Sequence, residues 1–288
     1  MAEHFPLKLV GSRMLAPSVR HLEFVRDDGQ ALDFIAGQFI QVHFNYPDGT
    51  PTKRSYSLAT QHDHAFGVND SVEIAVSFVP GGAASALFTA LDDGQQIQCS
   101  GPYGRFCLND KDQNARYLLI ATGTGVTPYR AMLPQLKKVM DERGVQVVLV
   151  FGSRTEEDLI YREDFYRFAE DNPHFRFMPC FSREMPAHAT PDARRGYVQE
   201  QLAELAAHGA LVDVRVPADK ADRADARAVR PRQILRRGAG RVSEIGAHAG
   251  NPAGLRALLW PRVHAAGARR LHQAAPRLER TRECWVGM

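Results

Sequence analysis

Over about the first 110 residues, apolar and polar positions alternate in short runs that end at Gly, Pro or Asp. Residues 39–44 (Phe-Ile-Gln-Val-His-Phe), 55–59 (Ser-Tyr-Ser-Leu-Ala) and 72–78 (Val-Glu-Ile-Ala-Val-Ser-Phe) have this character, and Asp48-Gly49 marks a turn between the first two. A period of two turns one face of each run inward and the other outward, the signature of half-buried strands. Several short strands at this spacing predict a small antiparallel β-barrel. One segment departs from the pattern: Gly81-Gly82 precedes residues 83–91, where Leu87, Phe88 and Leu91 share one helical face. After Asn114 the period changes. Tyr117-Leu118-Leu119-Ile120-Ala121 is a continuous apolar strand that runs into Thr122-Gly123-Thr124-Gly125-Val126-Thr127-Pro128 and a helix to about Met140. A second buried strand at 145–151, a helix over 156–170 and a third strand at 175–181 follow. Strands alternating with helices in this way predict a parallel, doubly wound α/β sheet. The expected domains are therefore 1–112 and 113–212, divided at the polar stretch 111–114, with a different segment from 213 to 288.

That last segment differs in composition. All 15 Phe and 8 Tyr of the chain lie at or before Tyr197, whereas about ten would be expected beyond it if the tail were folded like the rest. Ala and Arg replace them, as in Arg230-Pro231-Arg232 and Arg236-Arg237. The tail reads as GC-rich codons translated out of frame from near residues 207–213, with a basic, Ala-rich helical extension as the alternative.

The remaining composition narrows the chemistry. The net charge of +3 gives no reason to expect nucleic acid as a partner. Four cysteines, Cys99, Cys107, Cys180 and Cys284, form no C-x-x-C pair and no ferredoxin spacing, so no resident metal is expected. There is neither an apolar run of ~18 residues nor a secretory h-region. A soluble, cytoplasmic protein without a membrane span is expected. Nothing in the sequence fixes the oligomeric state, and a monomer is the simplest expectation.

Four constellations carry candidate chemistry. In Arg54-Ser55-Tyr56-Ser57, alternation places Arg54 and Tyr56 on one face and the serines on the other. An aromatic ring, a phosphate-binding fork and small hydroxyls suit a flavin. They equally suit an ordinary barrel strand with Tyr56 in the core and Arg54 solvated. Gly81-Gly82-Ala83-Ala84-Ser85 opens a helix, where free N–H groups attract an anion. Gly123-Thr124-Gly125, with Pro128 beyond it, lies where open α/β sheets bind ligands, although it lacks the dinucleotide fingerprint and also fits a plain strand–helix turn. Finally, Ser182-Arg183-Glu184 and Arg194-Arg195-Gly196-Tyr197-Val198-Gln199, with Arg154 nearby, could grip the 2′-phosphate of NADPH, or form a solvated charged loop.

Together with Phe34-Ile35-Ala36-Gly37-Gln38-Phe39 and Gly101-Pro102-Tyr103-Gly104, these motifs resemble the ferredoxin–NADP reductase superfamily over residues 6–205. The resemblance implies an N-terminal FAD-binding barrel, FAD being more usual than FMN, and a second domain that binds NADPH. By the family pattern Tyr56 stacks on the flavin, Ser57 lies near its N5 and Arg54 binds phosphate, with Ser55 beside them. Val76, Ser77, Phe78 and Val79 line the ring, and Gly82, Ala83, Ala84 and Ser85 hold the pyrophosphate. Gly123, Thr124, Gly125 and Pro128 allow close approach of a pyrophosphate or a nicotinamide, and by the family pattern Thr124 lies near the contact between flavin and nicotinamide. Arg154, Ser182, Arg183, Arg195, Tyr197 and Gln199 hold the adenine end. Tyr56, Ser57 and Thr124 are then the residues nearest the chemistry.

The implied activity is electron transfer from NADPH through FAD to a ferredoxin- or flavodoxin-like carrier. A reductase for an oxygenase or for free flavin is one alternative. The other is a flavin-binding protein without turnover, because the tail departs from the family. The family's Cys-Gly-x-Pro has only Ala249-Gly250-Asn251-Pro252 as a counterpart, and Trp285 is a poor match for the aromatic that ends many members. A tail of this kind, poorly ordered or foreign to the family, would leave the sheet without its last strands.

Overall fold

A computed structural model describes residues 3–68, 70–109 and 111–207, together with the strand 255–259. The first unit is an antiparallel barrel of β1 (Glu3–Ala16), β2 (Val19–Arg26), β3 (Phe39–Asn45), β4 (Pro51–Ser57), β5 (Val72–Ser77) and β6 (Gln96–Tyr103). The strand order is β4-β3-β6-β1-β2-β5, and a bridge between Leu58 and Ile74 joins the two outer strands. Period-two alternation fills the interior with Leu7, Leu9, Leu22, Phe24, Ile40, Val42, Ile74 and Val76. The helix α1 (Ala83–Ala90) adds Phe88 to the same core.

The outward faces of β2 and β5 are not all solvated. Val19 and Ala75, with Ala36 and Ala59 from the adjoining loops, join the core of the second unit. Small side chains at these positions let the two units approach closely.

The second unit contains β7 (Arg116–Thr122), a 3-10 turn (Gly123–Val126), α2 (Thr127–Ala131), α3 (Leu133–Arg143) and β8 (Gln146–Ser153). It continues through α4 (Arg162–Asp171), β9 (Phe175–Phe181), the short β10 (Arg194–Arg195) and α5 (Val198–Ala207). All pairings in the sheet order β10-β9-β8-β7-β11 are parallel. The continuous apolar runs are explained by burial on both faces. Tyr117, Leu119 and Ala121 of β7 meet the core shared with α2, α3 and α4, while Leu118 and Ile120 meet the opposite cluster, which includes Leu205 of α5.

The expected fold class, an antiparallel barrel followed by a parallel α/β sheet, is the one observed. Two details differ. The helix expected over 156–170 is split into a 3-10 turn (Glu156–Asp158) and α4, because Tyr161 between them adopts a left-handed conformation with φ 57°. The tail, expected to leave the sheet short, contributes β11 (Leu255–Leu259) beside β7, in register from Leu255 with Arg116 to Leu259 with Ile120. A central strand apolar on both faces needs a neighbour on each edge, and this run is apolar apart from Arg256. The rest of the tail, including 249–252, Trp285 and Cys284, lies outside the described residues.

Candidate active site

β4 pairs with β3 so that Ile40 faces Tyr56 and Val42 faces Arg54. Directly paired residues point the same way, so Tyr56 and Arg54 lie on the face that turns toward the barrel core. Tyr56 is only 4% exposed and stands edge-on to Phe88, ring centres 5.3 Å apart. It therefore occupies the core position rather than presenting an open ring face. Its hydroxyl Oη is buried without a hydrogen-bond partner among the described residues, and burial pushes the phenol's pKa up, which keeps it neutral. Arg54 is held at the hairpin end, donating to Tyr46 Oη (2.8 Å), Thr52 Oγ1 (3.0 Å) and the Lys53 carbonyl. Ser55 and Ser57 are half-buried on the other face.

Val76, expected to line a ring with Ser77, Phe78 and Val79, is buried in the barrel core, Phe78 packs partly buried against the same core, and Val79 is exposed. Next in the chain, Gly81 takes a positive φ of 73° and turns the backbone into α1. Ser85 Oγ accepts the Val79 N–H at 2.8 Å, which folds the loop over the helix start. No side chain caps α1. At Gly82 a Cβ would come within 3.1 Å of the Val79 carbonyl and 3.2 Å of Ser85 Oγ, so any larger residue would crowd the entrance to the helix amides.

In the second unit, Gly123 (φ 54°) turns β7 into Thr124 and Gly125, and Pro128 starts α2. Thr127 Oγ1 is another buried hydroxyl without a hydrogen-bond partner among the described residues. The loops after β8, β9 and β10 converge at the C-terminal edge of the sheet. Ser182 and Arg183 donate their amides to the carbonyls of Ser153 and Arg154, each at 3.0 Å, and Gly196 donates to Phe181 at 2.9 Å. Arg183, Arg195 and Tyr197 are exposed there, as is Gln199 on the first turn of α5. Arg154 departs from expectation: both arms of its guanidinium are engaged by Asp158, each at 2.8 Å. A carboxylate four residues along the chain thus competes for the cation assigned to a phosphate. Arg183 and Arg195 carry no acidic partner among the described residues.

The sequence reading missed a group between the two units. Arg130 of α2, 9% exposed, donates through Nη1 to the Ala59 carbonyl (2.7 Å) and to Glu73, and through Nε to Asp164 (2.6 Å). It also lies over the Tyr161 ring, 4.7 Å from the centre. Tyr161 Oη is 2.9 Å from His21 Nδ1, and His21 Nε2 is 3.2 Å from Glu23. Burial, reinforced by Arg13 and Arg130, lowers the His21 pKa to about 3 and keeps the ring neutral. A carboxylate can only accept, so Nε2 carries the proton and Nδ1 accepts from Tyr161. The available signal was an arginine, Arg130, among the apolar helical positions Val126, Tyr129 and Leu133; His21, on the outward face of β2, carried none.

Among the described cysteines none offers a nucleophile. Burial raises Cys107 to about 11 and Cys180 to about 12, and pushes Cys99 higher. No group of acidic, histidine or cysteine side chains suited to a metal occurs among the described residues. No helix among them is long and apolar enough to cross a membrane. A cleft of about 490 Å³ between Arg13–Pro17 and residues 156–164 contains none of the motif residues.

Comparison with known proteins bears on the same segments. Residues 6–107 match the family described as "Oxidoreductase FAD-binding domain", and residues 119–221 match "Oxidoreductase NAD-binding domain". The chain is 38% identical over 204 residues to ferredoxin–NADP reductase B of Sorangium cellulosum, covering 71% of this chain and 79% of that one. It is 30% identical over 206 residues to the phenol hydroxylase P5 protein of Acinetobacter pittii, covering 71% of this chain but only 54% of that relative. Among solved structures, the cytochrome P450 reductase GcoB of Amycolatopsis aligns with a TM-score of 0.59 at 28% identity, over 70% of this chain and 58% of that one.

Proposed function

This chain belongs to the ferredoxin–NADP reductase superfamily of flavin oxidoreductases, and from that premise we propose that it takes electrons from NADPH and passes them through FAD to a ferredoxin- or flavodoxin-like carrier. The observation that carries this reading is the approach of two segments. The Arg130–Ala59 hydrogen bond of 2.7 Å fastens the chain two residues past Ser57 to the helix that follows the small-residue turn 123–126. A flavin and a nicotinamide would have to meet between such segments.

The residues present fit the group. The buried Tyr56 Oη lacks a partner, which a bound cofactor could supply. Gly82 keeps the uncapped start of α1 open, so the helix amides would receive the pyrophosphate, with Arg54 as a second anion contact. When bound, the flavin supplies the redox chemistry, accepting a hydride and releasing electrons singly. The chain's own residues supply position. Ser57 ends β4 and Thr124 lies in the turn 123–126, where a small hydroxyl can contact a ring edge without filling the space between rings. Ser182, Arg183 and Arg195 favour the 2′-phosphate, with Tyr197 over the adenine and Gln199 beside it. Arg154 contributes there only if it leaves Asp158. The mechanism therefore rests on orientation and excluded water rather than on an acid–base residue.

Absorbance spectroscopy under anaerobic conditions tests the reading. The purified chain should show a flavin spectrum that bleaches with NADPH, and more slowly with NADH at equal concentration. Bound flavin that is untouched by NADPH would overturn it. A reductase serving an oxygenase is a second reading, favoured by the likeness to a cytochrome P450 reductase. Comparing acceptor proteins at fixed NADPH separates the two.

A further inference from the structure

Arg130 is a buried cation whose partners come from three separate places: the Ala59 carbonyl after β4, Glu73 in β5 and Asp164 in α4. A lone surface ion pair would say little about function, since such pairs contribute weakly. This guanidinium differs in being buried and in binding a main-chain carbonyl, which fixes a distance along the backbone as well as a charge balance. Its position in the chain matters equally. Arg130 lies in α2, which follows directly on the turn 123–126, and Ala59 lies two residues beyond Ser57. The second unit supports it from behind: Tyr161, in its left-handed conformation, lays its ring against the guanidinium and gives its hydroxyl to His21 of the barrel. Backbone strain of this kind at a non-glycine residue persists where surrounding contacts hold it.

We propose that Arg130 is a positioning residue, which pins the chain just past the flavin strand to the helix behind the nicotinamide turn and so sets how closely Ser57 and Thr124 approach. This rests on the reading of the two segments given under the proposed function. Lysine keeps the charge but is a compact point donor, unable to hold the carbonyl and both carboxylates in one plane. A displacement near 1 Å at such a site lowers the rate of a well-oriented transfer by roughly 10- to 100-fold.

Arg130→Lys, with Glu73→Gln as a second variant, tests this in the full chain through two readouts. The first needs no cofactor: amide hydrogen exchange should accelerate, by roughly fivefold or more, at both 58–60 and 124–131. It should stay unchanged at 5–9 in the barrel core and at 117–121 in the sheet core. The second is stopped-flow reduction by NADPH, where the rate of flavin bleaching should fall by about 10- to 100-fold while flavin affinity and the KM for NADPH stay within about twofold. Unchanged exchange at the two segments would overturn the proposal. Exchange that rises throughout both units in both variants would overturn it too, since the cluster would then be structural only. An unaltered bleaching rate despite faster exchange would also overturn it. If the parent chain itself does not bleach, the functional reading falls, while the exchange readout still decides whether Arg130 pins the two segments.

Discussion

Tyr56 is the residue whose chemistry and place in the fold pull in different directions. Its face-sharing with Arg54 was legible from alternation alone. That this face looks into the barrel follows from the pairing of Ile40 with Tyr56, and a partner strand's register is not written in the local sequence. Arg154 shows the same limit, since its engagement by Asp158 depends on how the loop after β8 turns. The stranded hydroxyl of Tyr56 gives an opposed pair of expectations. A buried, unpaired polar group costs about 1–3 kcal/mol, so Tyr56→Phe should stabilise the flavin-free chain by about 1 kcal/mol, raising its melting temperature by roughly 2–4 °C. If flavin satisfies that hydroxyl, the same variant should bind FAD about fivefold more weakly. Thermal melts with and without FAD measure both effects, and a variant destabilised in the absence of flavin would show that Oη already has a partner.

Among elements, the strands of the second unit were the clearest part of the sequence, because a strand buried on both faces is apolar at nearly every position. The expected segments 117–121 and 175–181 fall within β7 and β9, and the segment 145–151 overlaps β8 from its own second residue on. The helix over 156–170 was read as continuous because its composition is helical throughout. Its break at Tyr161 answers to a contact with the other unit, which composition does not encode. The start of α5 is set by local rules instead. Glu200 Oε2 accepts the Tyr197 N–H at 2.9 Å, reaching back three residues, and Gly196 leaves room for that carboxylate, since a Cβ there would lie 2.1 Å from it. α5 also lies close over β8, where a Cβ on Gly152 would come within 2.7 Å of Val198. Glu200→Ala should therefore cost about 1 kcal/mol and raise the KM for NADPH, because Tyr197 and Gln199 sit on the loosened turn, with kcat little changed. Helix content by circular dichroism and steady-state kinetics check this, and a raised kcat/KM would contradict it.

At the scale of the whole molecule, the change of period near residue 114 revealed two units, but nothing local revealed how they dock. The contact between His21 and Tyr161 joins residues 140 positions apart, and such pairings leave no periodic trace. The tail was legible as a change of composition, yet the run Leu255–Leu259 pairs with β7 and supplies partners for the backbone groups along its free edge. Docking the units over His21 carries a consequence for acid stability. The folded chain holds this imidazole neutral until about pH 3, against an ordinary value of 6.5. Below pH 6.5 the unfolded chain takes up a proton that the folded chain refuses, so stability falls as pH drops through that window, by about 1.4 kcal/mol per pH unit. Glu23, Glu73, Asp164, Arg13 and Arg130 surround the ring, and their own charges set the background against which this loss is read. His21→Gln keeps a donor toward Glu23 and removes the titration. Urea unfolding at pH 7 and pH 5 should therefore show the parent losing about 2 kcal/mol more than the variant over that interval. Equal losses in the two proteins would mean that His21 is protonated in the docked state, and that its bond with Tyr161 runs in the opposite direction.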